Sequence, residues 1–115
     1  MSLLNIQQDF AALVPRLIDH AISLGYQVTL GDAYRDPRVH GAMGVRMSYS
    51  HPKSVHKIRL AIDLNLFKNG RYIQDDEGHK ELGAWWKQQN QLARWGGDFP
   101  TADFNHYSFT FDGNS

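Results

Sequence analysis

The sequence contains no cysteine, carries no net charge and has no long apolar run. The lack of cysteine excludes thiolate metal sites, disulfide frameworks and cysteine nucleophiles. Twelve basic residues balance twelve acidic ones, so the attraction that a general binder of nucleic acids or anionic membranes requires is missing. No stretch approaches the about 20 apolar residues that span a bilayer. We therefore expect neither nucleic-acid binding nor membrane insertion.

The composition that remains is that of a folded chain. Hydrophobic residues make up 42% and charged residues 21% of the 115 positions, which suits one domain over residues 1–115 with a core of ordinary size. Any metal must be held by nitrogen and oxygen, and six histidines can supply the nitrogen. Residues 1–10 lack the basic start and apolar run of a secretory signal. We therefore expect synthesis in the cytoplasm.

Hydrophobic periodicity predicts two main helices. Apolar residues recur at three- and four-residue steps from Ile6 to Leu24, and Gly25 is placed to end that helix. Pro15 lies inside this run, which predicts a kink there or a start nearer Val14. A second helix is predicted from residue 75 to about residue 94, ended by the two glycines that follow.

Alternating and β-prone residues predict short strands. An Asn69-Gly70 pair between two such runs is a strong signal for a β-hairpin. The stretch 36–53 shows no sustained periodicity and is predicted to be a long loop with a short helical turn, and such loops are usually functional. The predicted fold is α+β, a small antiparallel sheet with two main helices. The predicted strands are residues 26–30, 60–67, 72–73 and 107–111.

The first segment suited to site chemistry runs from Ser54 to Asp63. His56 precedes a predicted strand, and Asp63 lies within it between Ile62 and Leu64. Neighbouring residues on a strand point to opposite faces, so Asp63 is predicted to face away from those two hydrophobic residues. A buried carboxylate is costly unless it is paired or bound to a metal. An aspartate facing solvent fits this spacing equally well.

The second segment contains Asp103 and His106. On this spacing alone, a helix cap followed by a surface histidine is the more frequent structure. Catalytic zinc needs about three protein ligands, an open position and a nearby acid. His56, Asp63 and His106 can supply the ligands, which leaves Asp103 for the acid–base role. The chemistry is coherent, but spacing does not establish it.

Together the two segments resemble the signature of the zinc D-Ala-D-Ala carboxypeptidases and L-alanyl-D-glutamate peptidases. This peptidoglycan-cleaving group includes phage endolysins and vancomycin-resistance dipeptidases. Its signature is Ser-x-His-x-x-Gly-x-Ala-x-Asp followed by an acid-x-x-His near the C-terminus. The matching residues are Ser54, His56, Ala61, Asp63, Asp103 and His106.

Two further features strengthen the resemblance, and one departs from it. Trp95-Gly96-Gly97-Asp98 resembles the phage branch, and Tyr34-Arg35 falls where the family places an arginine near the scissile bond. Arg59 stands where the family has glycine. An arginine there puts the shape of the site in doubt if the backbone requires a positive φ.

The resemblance implies a hedgehog/D-Ala-D-Ala-peptidase fold with Zn²⁺ held by His56, Asp63 and His106. Asp103 would be the catalytic base. Arg35 would bind the substrate carbonyl or oxyanion, although a surface salt bridge also accounts for it. Ser54 would contact substrate or orient a ligand, although capping a turn is equally consistent.

The implied substrate is a stem peptide of peptidoglycan, cut by a phage or prophage endolysin-like L-Ala-D-Glu endopeptidase or D-Ala-D-Ala carboxypeptidase. We expect a monomer that acts on the cell wall after release. Two alternatives stay open: a catalytically inactive, zinc-stabilised binding module of the same fold, and a metal-free structural domain.

Overall fold

The computed structural model describes residues 2–48 and 50–115. Over these residues the structure has three α-helices and five strands, with 3-10 turns at Val55–Ile58 and Gly96–Asp98. In chain order the elements are α1 (Leu3–Ser23), β1 (Gln27–Leu30), α2 (Pro37–His40), β2 (Ala61–Lys68), β3 (Arg71–Tyr72), α3 (Asp76–Gln89), β4 (Ala93–Trp95) and β5 (His106–Phe109).

The strands form one antiparallel sheet in the order β1-β2-β5-β4, and β3 pairs with the end of β2. Helices α1 and α3 contact each other and contact the sheet at β1 and β4 respectively. Apolar residues of the sheet and both helices form one buried cluster, because each element must cover its hydrophobic face. The predicted α+β class with two main helices is confirmed. The largest fully buried side chains of this core are Trp86, Tyr107, Phe109, Leu17, Leu60, Leu64, Leu66 and Leu82.

Helix α1 runs from Leu3 to Ser23 and continues through Pro15. The predicted start nearer Val14 is therefore wrong, because the helix begins at Leu3 with the Ser2 side chain accepting a hydrogen bond from the Asn5 amide. Proline removes one backbone donor, but the residues buried on both sides of it keep the helix against the core. Gly25, at φ 95°, follows the end of the helix as predicted.

The predicted end of the second helix near residue 94 is wrong by five residues. Helix α3 ends at Gln89, where Asn90 takes an extended conformation. Ala93 and Trp95 then form β4, which pairs with β5. Backbone hydrogen bonds to β5 and burial of alternate side chains stabilise this strand, and neither is visible in the local sequence.

The hairpin and long-loop predictions are confirmed. Asn69 and Gly70 both have positive φ, at 53° and 75°, between β2 and β3, as a type I′ turn requires. Between residues 36 and 53 the one regular element in the described part of the loop is the single turn α2. Tyr49 lies outside the described residues.

Arg59 occupies the left-handed backbone region, at φ 61° and ψ 34°, directly after the Val55–Ile58 turn. Glycine adopts this conformation without cost, whereas other L-residues lose about 1–2 kcal/mol. The Arg59 guanidinium lies 4.0 Å from the centre of the Tyr34 ring, a cation–π contact that offsets part of this strain. The contact with Tyr34 therefore compensates in part for an arginine at the position where the resembling family has glycine. Arg59 directly follows the turn that contains His56.

We expect the Arg59→Gly variant to be about 1 kcal/mol more stable than Arg59→Ala. Both variants lose the contact with Tyr34, so the difference between them reports the strain of the positive φ. Urea unfolding followed by circular dichroism measures it. An alanine variant as stable as the glycine variant would show that residue 59 is not strained.

Candidate metal centre and cleft

Strand pairing places Asp63 beside His106. These residues are direct partners in the antiparallel pair of β2 and β5, and directly opposed residues project their side chains on the same face. Ile62 and Leu64 are buried on the other face, as predicted from the alternation. Asp63 Oδ1 lies 3.7 Å from His106 Nδ1.

His56 reaches the same point from the 3-10 turn that precedes β2. The Ser54 hydroxyl accepts a hydrogen bond from the His56 amide and so begins the turn. The buried imidazole places Nε2 3.2 Å from Asp63 Oδ1, and its ring centre lies 5.1 Å from that of His106. One ligand-type atom from each of His56, Asp63 and His106 lies within 4.8 Å of the other two.

Main-chain oxygens fix which ring nitrogens carry protons. His56 Nδ1 lies 2.8 Å from the carbonyl oxygen of Ala33, and His106 Nε2 lies 2.6 Å from the main-chain oxygen of Ser115. These oxygens only accept hydrogen bonds, so each of these nitrogens must be the donor. In the neutral rings, His56 Nε2 and His106 Nδ1 are therefore lone pairs, and both face the Asp63 carboxylate.

This arrangement fits a metal ion. His56 Nε2 and Asp63 Oδ1 are buried and have no hydrogen-bond partner, and two facing lone pairs repel unless a cation lies between them. Zinc–ligand distances of 2.0–2.2 Å separate tetrahedral ligand atoms by about 3.3 Å, close to the 3.2 and 3.7 Å found here. Two imidazoles and one carboxylate form a ligand set that zinc uses.

Asp63 is ionised at neutral pH. Burial alone raises the pKa of this carboxyl, but when His106 and His56 are protonated their hydrogen bonds and their charge outweigh burial and lower the pKa to about 2. A metal ligand must be deprotonated, and the environment holds Asp63 in that form.

Arg35 lies in the wall of the site, with most of its side chain covered. Its amide donates to the carbonyl of His56. Its guanidinium donates to Asp32 and to the hydroxyls of Ser50 and Ser54 at 3.1–3.3 Å, and Nη2 lies 3.8 Å from Asp63 Oδ2. Ser54 therefore both caps the turn of His56 and holds Arg35. Arg35 is largely covered and has several partners, so its role is not that of an exposed surface salt bridge.

Asp103 stands at the cleft side of the cluster, about half exposed. Its Oδ2 lies 3.9 Å from His106 Nδ1, too far for a hydrogen bond. Gly96 brings this segment close, because a Cβ at that position would lie 2.0 Å from the Asp103 carbonyl oxygen. The Asp103 amide donates to the Gly96 carbonyl. The first glycine of the Trp95–Asp98 run therefore has a structural reason: it admits the segment that carries Asp103.

A cleft of about 720 Å³ opens over the cluster. Arg35, Ser54, His56, Asp103 and His106 all line it, so the structure brings these predicted site residues to one cavity, with Asp63 behind them. The segment 99–102 forms one wall, and residues 113–115 form another. The volume is in the range of pockets that bind small molecules and short peptides.

Lys57 follows His56 along the chain and has a structural role that the sequence does not signal. The side chain is buried, and its ammonium donates to the carbonyls of Ala42, Val45 and Pro52 at 2.6–3.3 Å. Burial lowers the pKa of Lys57, and the charge of Arg35 acts in the same direction. Lys57 thus ties the long loop to the turn that carries His56.

His79 lies in helix α3 and is buried. Its Nδ1 lies 2.8 Å from the Tyr107 hydroxyl, and burial lowers the pKa of His79 to about 4. The ring is therefore neutral at pH 7 and belongs to the core. No nearby residue in the sequence signals its partner, which lies 28 positions away.

An α+β domain with two histidines and one aspartate at the base of a cleft, and a further acid beside them, has the ligand set of a mononuclear metal-dependent hydrolase. Comparison with protein families agrees with this class. A family model described as D-alanyl-D-alanine carboxypeptidase matches residues 48–109, just over half of the chain. The chain belongs to this peptidase family.

The matched region contains His56, Asp63, Asp103 and His106, whereas Arg35 precedes it. No curated protein matches the chain. Among the described residues, no helix combines the length and the apolar character that crossing a membrane requires.

Proposed function

We propose that this chain is a zinc peptidase that hydrolyses an amide bond in the stem peptide of peptidoglycan. The observation that carries the proposal is the convergence of His56 Nε2, Asp63 Oδ1 and His106 Nδ1 at the base of a cleft, with two of these atoms buried and unpaired. Membership of the D-alanyl-D-alanine carboxypeptidase family supports a substrate of this class.

His56, Asp63 and His106 would hold the metal. Zinc bound there supplies Lewis acidity, which makes water nucleophilic near pH 7 and polarises the scissile carbonyl. Asp103 faces the cleft beside the cluster, so its carboxylate accepts the proton of the attacking water and returns it to the leaving amine.

Arg35 and Ser54 would act on the substrate side. The Arg35 guanidinium is held by Asp32, Ser50 and Ser54, so it is already oriented before substrate binds. A fixed, always-charged donor stabilises the negative charge that develops on the carbonyl oxygen. Ser54 keeps Arg35 and the His56 turn in register.

The bond that is cut is either L-Ala-D-Glu or D-Ala-D-Ala. The phage-like Trp95-Gly96-Gly97-Asp98 run favours an endolysin-like endopeptidase.

Digestion of purified peptidoglycan by the zinc-loaded protein, with the fragments identified by mass spectrometry, tests the proposal. We expect stem-peptide cleavage that a chelator abolishes and added zinc restores, and the new termini identify the bond. A protein that binds one zinc but cleaves no stem peptide would be the inactive binding module instead, an outcome that the strained Arg59 beside His56 makes worth testing. Cleavage that persists without metal would overturn the zinc mechanism.

A further inference from the structure

The segment after β5 folds back on itself in a tight turn. Phe111 and Asn114 exchange two backbone hydrogen bonds at 2.8 and 2.9 Å, and Thr110 Oγ1 donates to the Asn114 carbonyl. Asp112 and Gly113 form the corner with φ of 49° and 76°, the pattern of a type I′ turn. We call residues 110–115 the 110–115 hairpin.

This hairpin returns the chain to the metal cluster. It places the main-chain oxygen of Ser115 2.6 Å from His106 Nε2 and makes residues 113–115 part of the cleft wall. His106 is only 5% exposed, so water has little access to compete for this nitrogen. Any residue type at position 115 would offer the same main-chain oxygen, so the sequence carries no signal for the contact.

The pairing of β5 with β2 fixes the backbone of His106 but not the proton on its ring. If Nδ1 carried the proton, it would point that proton towards the Asp63 carboxylate, 3.7 Å away, and a metal could not bind at Nδ1. The main-chain oxygen of Ser115, which accepts from Nε2, instead favours the tautomer with the proton on Nε2 and holds the plane of the ring. The Ala33 carbonyl does the same for His56.

We propose that the 110–115 hairpin positions His106 for the metal: through the main-chain oxygen of Ser115 it holds the Nε2–H tautomer and points the Nδ1 lone pair at Asp63 and His56. This inference rests on the proposed function, since it assumes a metal at the cluster. Partners of this kind behind a ligating histidine change metal affinity by about 10–100-fold. Ser115 is thus a positioning residue.

Substitutions at Gly113 test the role of the turn. A Cβ at Gly113 would meet no heavy atom within 4 Å, so a substitution acts mainly through the positive φ. Valine resists that conformation and asparagine tolerates it. We expect Gly113→Val to weaken zinc affinity about 10–100-fold, whereas Gly113→Asn should keep most of the wild-type affinity. Competition with a chromogenic chelator measures the affinity.

Gly70→Val is the matched control. Gly70 has φ 75° at the corner of the β2–β3 hairpin, and a Cβ there would also meet no heavy atom within 4 Å. That hairpin does not line the cleft over the cluster. The Gly70→Val variant should therefore lose similar thermal stability but keep the zinc affinity of the wild-type protein. An equal loss of affinity in both valine variants would reduce the effect to general destabilisation and overturn the proposal.

A second measurement does not depend on metal binding. Long-range ¹H–¹⁵N spectra of the metal-free protein should show His106 as the Nε2–H tautomer in wild type and a changed tautomer population in Gly113→Val. Wild-type protein that binds no zinc would overturn the proposed function and this inference together. Tight zinc binding that Gly113→Val leaves unchanged, with an unchanged tautomer, would overturn the hairpin's role alone.

Discussion

Replacing Asp103 with asparagine is expected to lower kcat about 10²–10⁴-fold while zinc affinity stays near that of the wild-type protein. Asparagine keeps the size of the side chain but cannot accept a proton from water. Asp103 lies outside the three-atom cluster, with its carboxylate 3.9 Å from His106 Nδ1. Stem-peptide turnover at saturating substrate and zinc titration by chelator competition measure the two effects.

Asp98→Asn serves as the control for this prediction. Asp98 precedes Asp103 by five residues, but its carboxylate is half exposed and pairs with Lys87 at 2.7 Å. An exposed pair of this kind contributes little, so turnover should be unchanged. If Asp103→Asn retains full kcat, the base is another group; if it loses zinc as well, Asp103 is part of the metal site.

The parts of the fold that sequence could predict are those set by local patterns. The stripe of α1, the alternation around Asp63 and the Asn69-Gly70 turn each depend on residues within a few positions of one another, and each is found in the structure. The candidate site was predicted from the family resemblance. The sequence does not show that two segments about 40 residues apart lie close in space, and only strand pairing places Asp63 opposite His106.

The parts that sequence could not predict depend on distant partners. Strand β4 forms because β5 pairs with it. Helical periodicity alone predicted that the second helix continues over these residues. Lys57 is buried because three loop carbonyls converge on its ammonium, and His79 because the Tyr107 hydroxyl gives its ring a partner in the core. Carbonyl oxygens belong to every residue, so no residue type marks the partners of Lys57 in advance. The partner of His79 lies 28 positions away along the chain.

Arg35→Lys is expected to lower kcat/KM about 10²-fold, with a smaller effect on zinc affinity. Lysine keeps the charge but replaces a planar fork of five donors with one compact group. The Arg35 guanidinium contacts Asp32, Ser50 and Ser54 at once, and a single ammonium cannot hold all three while also facing the cleft. The loss should fall mainly on kcat, because the proposed contact strengthens as charge develops on the carbonyl oxygen.

Arg38→Lys is the matched control for this substitution. Arg38 lies three residues along the same segment, is 89% exposed at its side chain and pairs with Asp36 at 2.6 Å. The same chemical change there should leave kcat/KM unaltered. A loss confined to KM in Arg35→Lys would assign Arg35 to substrate binding rather than to the developing charge. A loss confined to zinc affinity would make it a support for Asp63, 3.8 Å from its Nη2, and would remove it from the proposed chemistry.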